Sequence, residues 1–177
     1  METINAIENL STLASMLRLT GLELMLNSDG PFTVFAPNND AFSEIPEDAL
    51  AELLKPENLD WLKIVLLRHI VGCKTYYQPL MVAQAPKGDT TLDTVGGEKI
   101  TLNNADEITI KSTVGKATVI KSDIFASYGV INIVDSVFNT LKPQNYTLYV
   151  LSLNDNEFWD CNDVAKCNCL FFRLRYS

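Results

Sequence analysis

The chain has 177 residues and a formal net charge of −8, with 47% hydrophobic and 20% charged residues. A chain of this length buries roughly 70% of its unfolded surface, so its core needs no metal or disulfide staple. The acidic balance argues against nucleic acid, whose phosphates demand clustered Lys and Arg, and against simple attachment to an anionic bilayer. No apolar run reaches the ~18 residues of a transmembrane segment. The best, over 61–71, is broken by Lys63, Arg68 and His69. The opening METINAIENL has neither a basic start nor an apolar signal core, so the chain is expected to lack a signal peptide or to be a piece whose leader is missing.

Residues 3–18 are predicted as one helix, because Ile7, Leu10, Ala14 and Leu17 recur at steps of three and four. Gly21 suits its end. GLELMLN predicts a second, short helical turn, closed by the turn signal SDGP. FTVFA is rich in aromatic and β-branched residues and predicts a buried strand. It must end at Pro37, which cannot donate to a ladder. Asn38 or Asn39 can then accept from the free N–H groups of a following helical turn, with Asp40 near that turn's positive end. Phe42 and Ile45 point back to the core. The segment is a strand-to-helix joint whose amides satisfy the backbone where the chain changes direction.

Two further helices are predicted over 47–54 and about 57–71, with Pro56 in the first turn of the second. Leu59, Leu62, Leu66 and His69 form one stripe, so the chain's one histidine aligns with core leucines. After Gly72 the period drops to two. TTLDTV, EKITLNN, EITIKS and GKATVIKS each alternate apolar and polar residues. Gly96-Gly97 joins the first two as a two-residue hairpin. GVINIVDSVF predicts a strand covered on both faces, in which Asn132 is a buried amide needing partners. Phe35 and Ile133 are expected to share one core. Helices first and strands later predict an α+β fold with a mostly antiparallel sheet or sandwich. Residues 1–143 form the expected domain, and 144–177 an extension whose aromatics show no clear period.

Chemistry-bearing motifs are sparse. There is no nucleophile elbow, no phosphate-cradling glycine loop and no metal-ligand pair at helical spacing, so neither an enzyme nor a cofactor is expected. Cys73, Cys161, Cys167 and Cys169 match no zinc spacing, and predict one buried thiol plus a tail whose pairing the spacing leaves open. The acidic cluster Asp155, Glu157, Asp160 and Asp163 lacks the glycine and closing glutamate of a calcium loop and reads as a solvated tail. Asn9 and Asn145 fit the glycan acceptor pattern, Asn145 being the more accessible.

FTVFAPNNDAF and SDIFASYGVINIVDSVF, with LLRHIV between them, together resemble the fasciclin domain family, which includes periostin-like adhesion domains. The resemblance covers about residues 3–143 and rests on three motifs in order. It marks Phe35, Pro37, Asn38, Asn39, Asp40, Phe42, Gly129, Asn132 and Asp135 as structural motif positions. It implies a wedge of two small, mostly antiparallel β-sheets under an N-terminal helical layer. It also implies a secreted or cell-surface module of adhesion or matrix assembly, acting by protein contact rather than catalysis. In matrix members, integrin adhesion has been assigned to a Tyr-His pair and to an Asp-Ile pair. The matching residues here are Arg68 and His69, and Asp123 and Ile124. Arg68 stands where the family has tyrosine, Asn132 where animal members often have histidine, and Tyr128 where an Asn-Gly turn is usual.

His69 reads either as a recognition or pH-sensing residue, or as a helix-end histidine hydrogen-bonded in the core. Asp123 reads either as a contact to a receptor cation, or as the cap of a turn between a strand ending near Lys121 and one starting at Gly129. Three functions stand side by side. The first is adhesion to a cell-surface receptor or matrix protein, integrin-like or polysaccharide, with Arg68 as the first residue to change. The second is binding of a small hydrophobic ligand or lipid in a pocket near Phe35, Phe42 and Trp61. The third is homotypic assembly.

Overall fold

The computed structural model describes residues 2–27, 31–72, 87–113, 115–127 and 129–138. The chain divides into two units, Met1–Leu141 and Lys142–Ser177. The second unit, and with it the extension, Asn145, the acidic cluster and Cys161, Cys167 and Cys169, lies outside the described residues, as do Cys73 and Tyr128.

The expected helix over 3–18 is two helices, α1 (Glu2–Ala6) and α2 (Ser11–Leu19), separated by a 3₁₀ turn at Glu8–Leu10. The break lies at Ile7, whose φ of −96° and ψ of 103° are extended. Restarting at Ser11 exposes a fresh set of backbone N–H groups, and Asn39 meets them from outside. Its Oδ1 accepts from Thr12 N–H at 3.1 Å, while its Nδ2 donates to Ser11 Oγ at 3.0 Å and Glu8 O at 3.3 Å. Helix α3 (Leu22–Leu26) follows directly after Gly21.

Strand β1 (Phe32–Pro37) ends at its proline, and α4 (Asn39–Ser43) starts at once. Asn38 is the N-cap: its Oδ1 accepts from Ala41 N–H at 2.7 Å, and its Nδ2 donates to Asp40 at 3.3 Å. The two asparagines therefore divide the work. Asn38 caps its own helix and Asn39 caps α2, so a single joint locks two helices. Phe42 is buried beside them.

Helix α5 (Glu47–Leu53) and a 3₁₀ turn at Pro56–Asn58 lead into α6 (Leu59–Leu67). Helix α6 stops short of the expected end at 71, because Ile70–Val71 is a strand, β2, paired antiparallel with β1. The apolar run IVLLRHIV serves helix and strand alike, so periodicity could not show the change.

The remaining strands are β3 (Gly88–Asp93), β4 (Lys99–Asn104), β5 (Ile108–Ser112), β6 (Gly115–Ala126) and β7 (Gly129–Val134). They do not form two small sheets or a sandwich. They form one seven-stranded sheet in the order β2-β1-β7-β6-β5-β4-β3, parallel at β1–β7 and otherwise antiparallel. An isolated bridge between Val71 and Thr94 brings its two edges together, so the sheet nearly closes on itself. The long β6 makes this possible. Its register with β7 shifts twice, between Val119 and Lys121 and between Lys121 and Ile124, and such bulges bend and twist a strand.

Side-chain alternation divides the core in two. Phe35, Leu92, Ile100, Leu102, Ile110, Ala117, Val134 and Phe138 pack as one cluster inside the curved sheet. In the β1–β7 register Phe35 pairs with Asn132, and Ala36 with Ile133. Ile133 is therefore on the opposite face from Phe35, and the single shared core expected for them is two cores on the two faces of one sheet. Gly129 is fixed by close approach: a Cβ there would stand 2.0 Å from the Phe32 carbonyl oxygen.

Candidate functional site

The end of α6 gathers the residues on which adhesion was expected to rest. His69 is fully enclosed. Its Nδ1 lies 2.8 Å from Val65 O, one of the carbonyls a helix leaves without a partner in its last turn. Its Nε2 accepts the Phe138 N–H at 2.9 Å. The two bonds define a neutral imidazole with its proton on Nδ1. Burial pushes its pKa down to about 4; the bond to Val65 O opposes that shift, and the charge of Arg68 adds to it. The ring stacks on Phe138 at 4.4 Å and 12°. The backbone continues the knot, because Phe35 N–H donates to His69 O at 2.8 Å.

Arg68 is only 7% exposed. Its guanidinium lies over the Trp61 ring, 5.2 Å from the centroid, and its Nε is 3.0 Å from Glu98 Oε2. The pair is ionic by distance but bent away from hydrogen-bond geometry, which leaves Nε and Nη1 aimed at no acceptor. Glu98 Oε1 in turn accepts from the N–H and hydroxyl of Thr113.

Glu98 reaches this place because the β3–β4 connection folds onto α6. The expected two-residue hairpin at Gly96-Gly97 is a five-residue loop, Thr94 to Glu98, between strands paired up to Asp93 and Lys99. Thr94 Oγ1 bridges to Glu98 O and N–H, while Val95 N–H bonds Ile70 O at 2.7 Å and Gly96 N–H bonds Leu67 O at 3.0 Å. A Cβ on Gly96 would meet Arg68 N at 2.9 Å, so only glycine lets the loop settle so closely. Both side chains are turned into the protein: His69 takes the place its core reading gave it, and Arg68, expected as a contact residue, is buried against Trp61 and Glu98.

Asp123 and Ile124 lie elsewhere, on β6. Asp123 does not cap a turn between two strands, because β6 runs on to Ala126. It sits in a bulge, where Ser122 and Asp123 oppose the single residue Asn132, and its φ of 58° is left-handed, a conformation Asp tolerates. Its N–H donates to Asn132 Oδ1 at 2.9 Å. Asn132 is fully buried, and its Nδ2 has no partner among the described residues. Asp135 staples the far end of the same pair: its Oδ1 accepts from Thr118 N–H at 2.7 Å and its own N–H donates to Thr118 O at 3.1 Å. A lateral line thus runs from Asp123 through Asn132 and its register partner Phe35 to His69 and Phe138.

Sequence reasoning missed Glu98, Thr113 and Phe138 in this constellation. Trp61 was legible, since it precedes Arg68 by two helical turns and shares its face. Phe35, Phe42 and Trp61, the residues of a conceivable ligand pocket, are packed in the core instead. A depression between Ile4, Leu26, Phe32 and the β6–β7 turn encloses about 30 Å³, room for about one water. Asn9 is exposed on its 3₁₀ turn. Among the described residues no group of His, Cys, Asp and Glu could hold a metal ion, and no helix is long and apolar enough to cross a membrane.

The fasciclin domain model matches residues 8–140. The chain belongs to the fasciclin domain family. Protein sll1483 of Synechocystis is 40% identical over 130 residues, which cover 73% of this chain and 67% of that protein. The transforming growth factor-beta-induced protein ig-h3 of Sus scrofa is 30% identical over 132 residues, which cover 73% of this chain but only 18% of that protein. The FAS1 domain pair of the insect cell adhesion molecule Fasciclin I superposes with a TM-score of 0.58 at 21% identity, over 73% of this chain and 45% of that one, a likeness of fold. In this fasciclin domain the polar motif residues satisfy backbone N–H groups: Asn38 caps its own helix, and Asn39, Asn132, Asp135 and His69 each accept from another segment.

Proposed function

We propose that this fasciclin domain is a non-catalytic adhesion or matrix-interaction module of the cell exterior, binding a receptor or matrix protein through the bulged half of β6. The observation that carries the reading is the exposure of two large apolar side chains, Ile120 at 58% and Phe125 at 69%, on either side of the Asp123–Ile124 pair. Apolar anchors beside polar groups are what protein recognition uses, and bulges re-aim the side chains of a strand. Adhesion by fasciclin relatives supports the class of function. The inward-facing Arg68 and His69 support placing the contact on β6 rather than on α6.

The test is binding of the full chain to matrix-coated and cell surfaces. Phe125→Ser and Ile120→Ser are expected to weaken binding about tenfold or more while leaving the folded state intact by circular dichroism. Full binding by the folded double variant would overturn the assignment of the surface.

A further inference from the structure

The outer face of β3–β6 carries a second feature, independent of the protein contact proposed on β6. Register places Thr91, Thr101, Lys111 and Lys116 side by side in one row across the four strands. Lys111 and Lys116 are directly opposite each other, both exposed, on adjacent strands. Like charges in that relation destabilise a sheet. Nearby carboxylates do not relieve them: Asp93 is paired with Lys99, Asp89 accepts from Asn103, and Glu98 is engaged by Arg68 and Thr113. In a chain of net charge −8, two adjacent ammonium groups stand without a carboxylate partner among the described residues.

We infer that this row is a binding site for a linear acidic polysaccharide. Neighbouring strands lie ~4.8 Å apart, so the row spans about 14 Å, a length that suits several sugar units in extended form. Its groups match that chemistry. The lysines offer charged donors to carboxylate or sulfate groups, and the threonine hydroxyls both give and accept bonds to sugar hydroxyls. The row holds no aromatic side chain to stack a nucleobase and no large apolar side chain to anchor a peptide. Complementarity of charge, together with this surplus of donors, favours a sugar acid over an acidic protein.

The experiment is affinity electrophoresis of the full chain in gels containing polygalacturonate, dextran sulfate or neutral dextran, at low and physiological salt. Retention is expected with the two acidic polymers, weakening as salt rises, and not with dextran. Lys111→Gln/Lys116→Gln is expected to bind about tenfold more weakly, and Lys111→Arg/Lys116→Arg to keep binding. Lys63→Gln, which removes one lysine charge at an exposed site on α6, is expected to match the wild type. The glutamine pair should melt no lower than the wild type, since it removes a repulsion. Undiminished retention of the glutamine pair, an equal loss in Lys63→Gln, or equally tight binding of polyglutamate would overturn the inference.

Discussion

At the scale of single residues, His69 shows how a motif residue comes to look functional. A histidine at a helix end, in a segment tied to adhesion, invites a recognition role. Its two ring nitrogens are instead taken up by Val65 O and Phe138 N–H inside the core. Protonation would set a donor against the Phe138 N–H and place a charge where no water reaches. The unfolded chain takes up this proton at a pKa near 6.5 and the folded chain only at about 4. Stability from this group is therefore complete above pH 6.5, falls as the pH drops through that window, and is gone below about 4. The shift corresponds to roughly 3 kcal/mol. His69→Leu is expected to cost about 2–4 kcal/mol at pH 7, because two backbone groups lose their partners. It should also flatten the fall in stability between pH 6.5 and 4. Urea unfolding across that range measures both effects, and an unchanged stability with binding lost would return His69 to the surface.

At the scale of elements, the joint after β1 was legible and its division of labour was not. The residues FTVFAPNND announce a strand, a stop and a cap from local chemistry alone. Nothing local says that Asn39 caps α2, whose first residue is 28 positions earlier in the chain. The two amides therefore make different predictions. Asn38→Ala and Asn39→Ala should each cost about 1 kcal/mol, the value of an N-cap. Their hydrogen-exchange patterns should differ, with Asn38→Ala speeding amide exchange in α4 and Asn39→Ala speeding it at Thr12. Identical patterns would contradict the assignment. The same limit explains the other departures. Period two revealed β3, β4 and β5, because each buries one face. The bulges in β6 and the short β2 leave no periodic trace, so nothing in the pattern opposed the two small sheets that the family resemblance implied. β1 and β7 read as apolar runs buried on both faces, a pattern that carries no sign of the register that sends Phe35 and Ile133 to opposite faces.

At the scale of the whole molecule, a sheet that curls back on itself needs a clasp where its edges meet. Here the bridge from Val71 to Thr94, the bond from Gly96 N–H to Leu67 O and the ion pair of Arg68 with Glu98 lie together at the β3–β4 loop. Arg68 was read from sequence as a contact residue because its partner, far along the chain on another element, is invisible to any local pattern. Both side chains are about nine-tenths buried, at 9% and 11% exposure. Ion pairs buried this deeply contribute little net stability over an apolar pair of similar volume, but removing one partner strands the other charge. Glu98→Leu and Arg68→Met, each alone, are thus expected to cost about 3 kcal/mol. The double change Arg68→Met/Glu98→Leu should recover most of that loss, since the introduced thioether can pack on Trp61. Guanidinium unfolding of the three variants closes the cycle. Single variants within ~0.5 kcal/mol of wild type would show that the sheet closes without this pair.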